Sequence, residues 1–110
     1  MAATPEKKVK DAVKKILDTR GVWHFSPASN GMGRAGIPDI ICCVRGYFLA
    51  IECKAGKGKT TALQEREIDA IHEAGGVAIV VNETNIQTVQ EWIDVLVVAA
   101  RDPRDSRSSQ

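Results

Sequence analysis

One stretch decides the fold, and it reads Pro38-Asp39, Ile40-Ile41-Cys42-Cys43-Val44, Arg45-Gly46, Tyr47-Phe48-Leu49-Ala50-Ile51, Glu52-Cys53-Lys54. Two apolar runs rich in β-branched and aromatic residues, 40–44 and 47–51, flank Arg45-Gly46 and predict a β-hairpin. Arginine is an unfavourable first residue for a two-residue type I′ turn, so Gly46 closing a bulged loop is an open alternative.

A two-residue turn fixes which side chains face each other. Val44 then pairs with Tyr47, and the ladder sets Asp39 directly opposite Glu52, with Cβ atoms about 4.5–5.5 Å apart. Because side chains alternate across a strand, Lys54 points to the same face as Glu52. The hairpin therefore predicts two carboxylates and an ammonium group that converge.

Two facing carboxylates repel unless a cation or a shared proton lies between them. Carboxylate and carbonyl oxygens suit Mg²⁺ or Mn²⁺, and Mg²⁺ typically binds one or two protein carboxylates plus waters and substrate phosphate oxygens. The alternative interpretation is structural: Asp39 follows a proline at a strand start, and Glu52 and Lys54 form a surface ion pair.

A family resemblance favours the metal site. The ordered set Gly36-Ile37-Pro38-Asp39, Glu52-Cys53-Lys54 and, after a basic loop, Leu63-Gln64 resembles the PD-(D/E)xK nuclease superfamily. More narrowly, it resembles the stand-alone form of the virus-type replication-repair nuclease (VRR-Nuc) domain. The resemblance implies an α/β fold with a restriction-endonuclease-like core, in which helices flank a mixed central β-sheet.

The resemblance also implies roles for individual residues. Asp39 and Glu52 would bind the metal, the backbone carbonyl of Cys53 would add a ligand, and Lys54 would assist the attacking water. In many members a glutamate on the first helix contributes as well, and here Glu6 is the available residue, although an acidic residue in a first turn is favoured by the helix dipole in any case.

Gln64 has two competing interpretations. The resemblance implies that it orients the catalytic site. Thr61-Ala62-Leu63-Gln64 is also a capping box, in which Gln64 reaches back to the Thr61 amide, and that explains the residue without any catalytic role.

The remaining pattern alternates helices and strands within one predicted domain, residues 1–100. Thr4-Pro5 begins a helix that ends near Arg20-Gly21, and a short strand at 22–25 and a glycine-rich loop at 26–36 follow it. After the hairpin come a helix at 61–74, an apolar run at 77–81 that is typical of a central strand, and a last helix from Thr84. Residues 101–110 are rich in Arg, Asp, Ser and Pro and predict a disordered polar tail.

Charge is uneven along the chain: residues 1–60 are net basic and residues 61–110 net acidic. Glycine lets the main chain approach a phosphate backbone closely and lysine supplies counter-charge. The pattern therefore predicts nucleic-acid contacts from Lys57 and Lys59, with Arg66 and the loop residues Ser29, Asn30 and Arg34 as further candidates, although the loop residues serve equally well as turn formers.

Composition is ordinary for a soluble globular protein, with 44% hydrophobic and 26% charged residues. No apolar run is long enough to span a bilayer, so we expect no membrane contact and a cytoplasmic location, the host cytoplasm if the protein is phage-encoded. Cys42, Cys43 and Cys53 lack the spacing of a zinc knuckle and are expected to be buried reduced thiols.

Together these features predict an Mg²⁺- or Mn²⁺-dependent DNA endonuclease, and the resemblance implies that it acts on branched DNA such as four-way (Holliday) junctions. The alternatives are a nuclease of flaps or ends and a non-catalytic nucleic-acid-binding subunit. Trp92, Val95 and Val98 make the last helix more apolar than one core-facing side requires, which predicts a homodimer.

Overall fold

The computed structural model describes residues 3–28 and 34–101, which form three helices and four strands in the order helix, three strands, helix, strand, helix. They are α1 (Pro5–Thr19), β1 (Trp23–Phe25), β2 (Ile40–Val44), β3 (Tyr47–Cys53), α2 (Ala62–Glu73), β4 (Val77–Val81) and α3 (Thr88–Arg101). None of the helices in these two ranges is both long and apolar enough to cross a bilayer.

The strands form one mixed sheet in the order β1-β2-β3-β4. β1 to β3 are antiparallel neighbours, and β4 joins β3 in parallel after the α2 crossover. Val44 pairs with Tyr47 and Ile40 with Ile51, so the hairpin has the predicted two-residue turn and the predicted register. The mixed sheet flanked by helices confirms the expected fold class.

Helices cover the two sheet faces unequally. α1 and α3 cover one face and enclose the main core, which includes the buried side chains of Val13, Leu17, Ile40, Leu49, Ile51, Val89 and Ile93. α2 covers only part of the other face, where Ile68 packs on Ala50 and Ala78. The β1–β2 side of that face is left open, and the Trp23 and Phe25 rings stand there with centroids 5.5 Å apart.

This unequal cover corrects one expectation. Cys43 was expected to be buried but is exposed, because its side chain faces the uncovered part of the sheet, whereas Cys42 and Cys53 are buried free thiols. Burial raises the pKa of the Cys42 and Cys53 thiols to about 12, so both stay protonated and unreactive at neutral pH.

The position of one strand and the two ends of the last helix also differ from the sequence interpretation. β4 is an edge strand of the described sheet and not a central one, and its Val80 is 39% exposed. The last helix begins at Thr88 and not near Thr84, because the Asn82 side chain accepts hydrogen bonds from both the Thr84 amide and hydroxyl and holds a turn there. Arg101 belongs to α3, and the predicted tail from 102 onward lies outside the described residues.

The hairpin turn requires an unusual backbone. Arg45 has φ +54° and Gly46 has φ +91°, the pair of positive values that a type I′ turn demands. The turn adopts this form in spite of Arg45, which as an L-residue with a Cβ is disfavoured in the left-handed region by about 1 kcal/mol. Pairing along the hairpin therefore outweighs local preference at one residue.

We predict that Arg45→Asn raises the free energy of unfolding by about 0.5–1 kcal/mol, because Asn tolerates the left-handed region better than Arg does. Gly46→Ala serves as the opposite control: a Cβ there meets nothing within 4 Å, so its loss of about 1 kcal/mol is purely conformational. Urea denaturation of the three proteins measures both effects. An Asn variant no more stable than the native protein would argue against this turn geometry.

Candidate active site

The two predicted acidic residues come together at the open end of the hairpin. Asp39 lies one position beyond the Ile40–Ile51 pair, so the observed register places it opposite Glu52. Its Oδ2 accepts a hydrogen bond of 2.8 Å from the Cys53 backbone N–H, which continues the ladder through a side chain. One oxygen of Asp39 is thus used by the fold, and Oδ1 is directed elsewhere.

Glu52 is 3% exposed, the one polar residue among the fully buried side chains of the described chain. Its Oε2 accepts a hydrogen bond of 3.0 Å from Gln64 Nε2 and lies 3.2 Å from Lys54 Nζ. Its Oε1 is buried, and no described group hydrogen-bonds to it. Leaving a buried carboxylate oxygen unpaired is costly, which indicates a site built for a further positive partner.

The electrostatics of Glu52 follow from this setting. Burial, and after it the negative charge of Asp39, raise the pKa of its carboxyl to about 7, against the opposing effect of Lys54. Lys54 is itself mostly buried, with 12% of its side chain accessible. Two carboxylates and one adjacent ammonium therefore share a largely dehydrated space.

Gln64 makes the contacts that both interpretations of it require. Its side-chain Oε1 accepts a hydrogen bond of 2.9 Å from the backbone N–H of Thr61, and the Thr61 hydroxyl accepts one from the backbone N–H of Gln64, so the capping box is complete. Its Nε2 is then free to donate to Glu52. The cap thus fixes the side chain that holds the buried carboxylate.

Gly36 explains how the first turn of α2 reaches the site. Its φ is +85°, and a Cβ at this position would lie 2.5 Å from the Leu63 carbonyl oxygen and 3.1 Å from the Gln64 amide nitrogen. Only glycine allows so close a contact. The segment that leads into Asp39 therefore touches the residues that present Gln64.

Helix α1 contributes two further charges. Lys10 Nζ lies 3.5 Å from Asp39 Oδ1. Glu6, one helical turn earlier, is exposed, and its negative charge contributes to the raised pKa of Glu52. Glu6 is therefore near enough for its charge to act on Glu52, and its predicted role as a metal ligand stays a prediction.

A cavity of about 380 Å³ opens beside Asp39. Its lining includes Lys10, Ser26, Arg34, Pro38, Asp39 and Gln64. Arg34 is exposed and donates a hydrogen bond of 2.6 Å from Nε to Glu67 Oε2 on α2. The predicted contacts Ser29 and Asn30 lie outside the described residues.

The basic segment after β3 is anchored at a glycine. The Gly56 N–H donates a hydrogen bond of 2.7 Å to Glu83 Oε1, and the Gly58 N–H donates one to the Ala55 carbonyl. Lys57 and Lys59 are exposed on this turn, and Arg66 is exposed on α2. All three are accessible to a ligand, and their contacts with nucleic acid stay predictions.

The donor set fits a hard divalent cation. In residues 3–28 and 34–101 no group of three or more His, Cys, Asp or Glu side chains is arranged to hold a metal ion. The site has two carboxylates, and their available oxygens are Oδ1 of Asp39 and Oε1 of Glu52, to which no described group hydrogen-bonds. Few protein ligands, completed by waters and substrate oxygens, are typical of Mg²⁺.

Comparison with known proteins gives the family. The family model described as "Archaeal holliday junction resolvase (hjc)" matches residues 7–96, a span that contains Asp39, Glu52, Lys54 and Gln64. The chain belongs to the archaeal Holliday junction resolvase family. Membership in this family makes the chain a nuclease. The match begins one residue after Glu6, so it does not include that residue.

Solved structures support the fold of this resolvase-family nuclease. One described as "VRR_NUC domain" superimposes with TM-score 0.66 and 24% identity, covering 84% of this chain and 97% of the other. A second, "VRR_NUC domain protein", gives TM-score 0.66 and 22% identity over 86% and 92% of the two chains. No curated protein matches the sequence.

The structure thus brings Asp39, Glu52, Lys54 and Gln64 of the resolvase-family chain into one cluster, while their catalytic roles stay predictions. The Cys53 backbone N–H donates a hydrogen bond to Asp39. The role of the Cys53 carbonyl as a metal ligand stays a prediction. Lys10 was not predicted as part of the site. The signal for it is weak: it stands next to buried Val9 and one turn after Glu6, at the border of the apolar stripe of α1.

We predict that the site makes the protein less stable as pH rises in the absence of metal. The folded pKa of Glu52, about 7, lies above its ordinary value of 4.5, so its stabilising contribution is complete below about pH 4.5 and is lost as pH rises through about 7. Glu52→Gln mimics the protonated form. Its stability advantage over the native protein should grow by about 2 kcal/mol between pH 5 and pH 8.

Urea unfolding in EDTA across this pH range measures the difference, because titrating groups common to both proteins cancel. Glu73→Gln, an exposed glutamate near the end of α2, is the matched control and should run parallel to the native protein. If the Glu52→Gln difference is the same at pH 5 and pH 8, Glu52 does not titrate as described.

Proposed function

We propose that this chain is a divalent-metal-dependent DNA endonuclease that acts on branched DNA, with four-way junctions as its preferred substrate. The observation behind the proposal is the pairing of Asp39 with a buried Glu52 whose Oε1 has no described partner. Two adjacent carboxylates in a dehydrated setting need a cation. The match to a family named for junction resolution supports the choice of substrate.

Asp39 and Glu52 would hold Mg²⁺ or Mn²⁺, with the Cys53 carbonyl as the further ligand that the family resemblance implies. When bound, the ion supplies a polarised phosphate and a coordinated water of lowered pKa. Few protein ligands leave positions open for the phosphate and the water. The raised pKa of Glu52 falls when a cation is beside it, so metal binding and loss of the Glu52 proton favour each other.

Lys54 is the group of this chain best placed to act on the reacting water. Its Nζ is held 3.2 Å from Glu52 Oε2 in a mostly buried position. From there it can orient the water or offset the negative charge that develops on the phosphate. Gln64 holds the same Glu52 oxygen, so it positions the carboxylate and does not itself meet the substrate in this proposal.

The DNA path follows the exposed cations around this cluster. Lys57 and Lys59 stand on the turn that follows Lys54, and Arg34 and Arg66 stand on the other side, near and on α2. Exposed lysine and arginine side chains can bind phosphates without reading base sequence, so they fit recognition of DNA shape.

We predict that Asp39→Asn and Lys54→Ala each lower Mg²⁺-dependent cleavage by more than about 100-fold, because each removes a group that acts only through the metal or the reacting water. Asp69→Asn, an exposed aspartate on α2, is the matched control and should keep full activity. Lys59→Ala should mainly weaken binding and lower its salt dependence by about one counterion.

The test is a panel of four-way, flapped, linear and single-stranded DNA incubated with Mg²⁺ or EDTA. Preferred cleavage of four-way junctions in Mg²⁺ supports the proposal, and preferred cleavage of flaps or ends assigns the alternative nuclease activity. Binding without cleavage of any substrate would indicate a non-catalytic DNA-binding subunit and would overturn the catalytic proposal.

We further propose that the protein acts as a homodimer, and the structure suggests where. Trp92, which the sequence assigned to an interface, packs against the core instead, which leaves Val95 and Val98 as the exposed apolar side chains of α3. The open sheet face is richer: Trp23 is 62%, Phe25 48% and Phe48 43% exposed. Large aromatic side chains contribute most to protein interfaces, so we place the second copy on this face.

Multi-angle light scattering at micromolar concentration should give about twice the 11.9 kDa chain mass for the native protein. The double variant Trp23→Ser and Phe48→Ser should be monomeric, because it removes most of the apolar contact. Val95→Ser with Val98→Ser is the control and should stay dimeric. A monodisperse native monomer would contradict the dimer, and loss of the dimer only in the valine variant would move the interface to α3.

A further inference from the structure

Asp39 divides its two oxygens between two partners. Oδ2 accepts the Cys53 N–H at 2.8 Å and belongs to the hairpin, whereas Oδ1 faces Lys10 Nζ at 3.5 Å. Oδ1 is the oxygen of Asp39 that remains for a metal ion. Lys10 Nζ therefore lies beside the oxygen that a metal ion would bind, and a bound ion would repel it.

The two lysines of the site are held differently. Lys54 is 12% accessible and sits beside the nearly buried Glu52, so moving it would expose a dehydrated carboxylate. Lys10 is 30% accessible beside an Asp39 that is 22% accessible, and it lines the open cavity. A flexible four-carbon stem and a partly solvated ion pair let Lys10 change partners at low cost.

We propose that Lys10 is a stand-in cation: it neutralises Asp39 when no metal is bound, yields Oδ1 to the arriving divalent ion, and then binds a DNA phosphate in the cavity. The inference rests on the proposed function, since it needs a metal at Asp39 and DNA beside it. It gives Lys10 a positioning role for substrate that is separate from the role of Lys54.

The cavity supplies the second partner. Lys10 and Arg34 both line it, and it opens directly beside Asp39, where the proposed substrate phosphate would lie. A displaced ammonium group in that space has a phosphate within reach as its natural partner. Leaving Asp39 therefore does not leave the Lys10 charge unpaired.

The exchange couples the two ligands. Without DNA, Lys10 competes with the metal for Asp39; with DNA, the phosphate takes Lys10 and the competition ends. Metal thus strengthens DNA binding, and DNA strengthens metal binding by the same factor, because the coupling of two equilibria is reciprocal. The device disfavours a metal-loaded site in protein that has no substrate.

The experiment measures binding of Mn²⁺ alone to the full chain by calorimetry or electron paramagnetic resonance, without DNA. Lys10→Gln removes the competitor and should bind Mn²⁺ about two- to fivefold more tightly than the native protein, the range expected for a partly exposed ion pair. Lys15→Gln, an exposed lysine on the same helix, should bind Mn²⁺ as the native protein does. Lys10→Arg keeps the positive charge and should restore the native affinity.

A second readout measures affinity for four-way-junction DNA in EDTA and in Ca²⁺, under conditions where no cleavage is detected. Lys10→Gln should match the native protein in EDTA, where Lys10 is held by Asp39, and should bind DNA more weakly in Ca²⁺ with a salt dependence lower by about one counterion. Matching circular dichroism spectra and melting temperatures show that the variants keep the fold.

Equal Mn²⁺ affinity in Lys10→Gln and Lys15→Gln would overturn the inference, as would an equal loss of DNA affinity in EDTA and in Ca²⁺. If the native protein binds Mn²⁺ and cleaves DNA while Lys10→Gln behaves as native, the stand-in role fails and the proposed function survives. If the native protein neither binds Mn²⁺ nor cleaves DNA, both fail together.

Discussion

Repulsion between two carboxylates at the open end of one hairpin is the constraint on which the rest of this structure depends. Asp39 and Glu52 are set opposite each other by a register that the turn at Arg45 and Gly46 imposes. Burial of Glu52 makes the repulsion stronger, because charges interact more strongly where water is excluded. A fold gains nothing in stability from such a pair, so the arrangement indicates function.

The surrounding elements answer that repulsion one contact at a time. Lys54 from the hairpin and Gln64 from the cap of α2 both hold Oε2 of Glu52, and Lys10 from α1 approaches Asp39. Gly36 makes the Gln64 contact possible by removing the side chain that would hold α2 away. Three separate parts of the chain thus converge on two oxygens, and no group in residues 3–28 and 34–101 hydrogen-bonds to Oε1 of Glu52.

The sequence predicted this centre because it is local. A two-residue turn between two apolar runs sets the facing pair without any knowledge of the tertiary structure, and a capping box places Gln64 at a helix start. Lys10 could not be found in the same way, since its approach to Asp39 depends on how α1 packs across the sheet. Its position at the border of the apolar stripe of α1 distinguishes it only weakly from the other lysines of that helix.

The same limit explains the errors. Cys43 has apolar character suited to a core, yet it is exposed because α2 covers only part of its sheet face. The apolar run 77–81 has the composition of a central strand, and only the chain topology makes it an edge. Composition reports that a residue can be buried, whereas the layer that covers it is a property of the whole fold.

The most direct test is a crystal structure of the protein grown with Mn²⁺, with the metal located by its anomalous scattering. The account predicts one strong peak between Asp39 and Glu52, bound by Oδ1 of the first and Oε1 of the second, with Lys10 turned away from Asp39. A map that shows the two side chains directed to opposite faces of the sheet, with no metal between them, would contradict it.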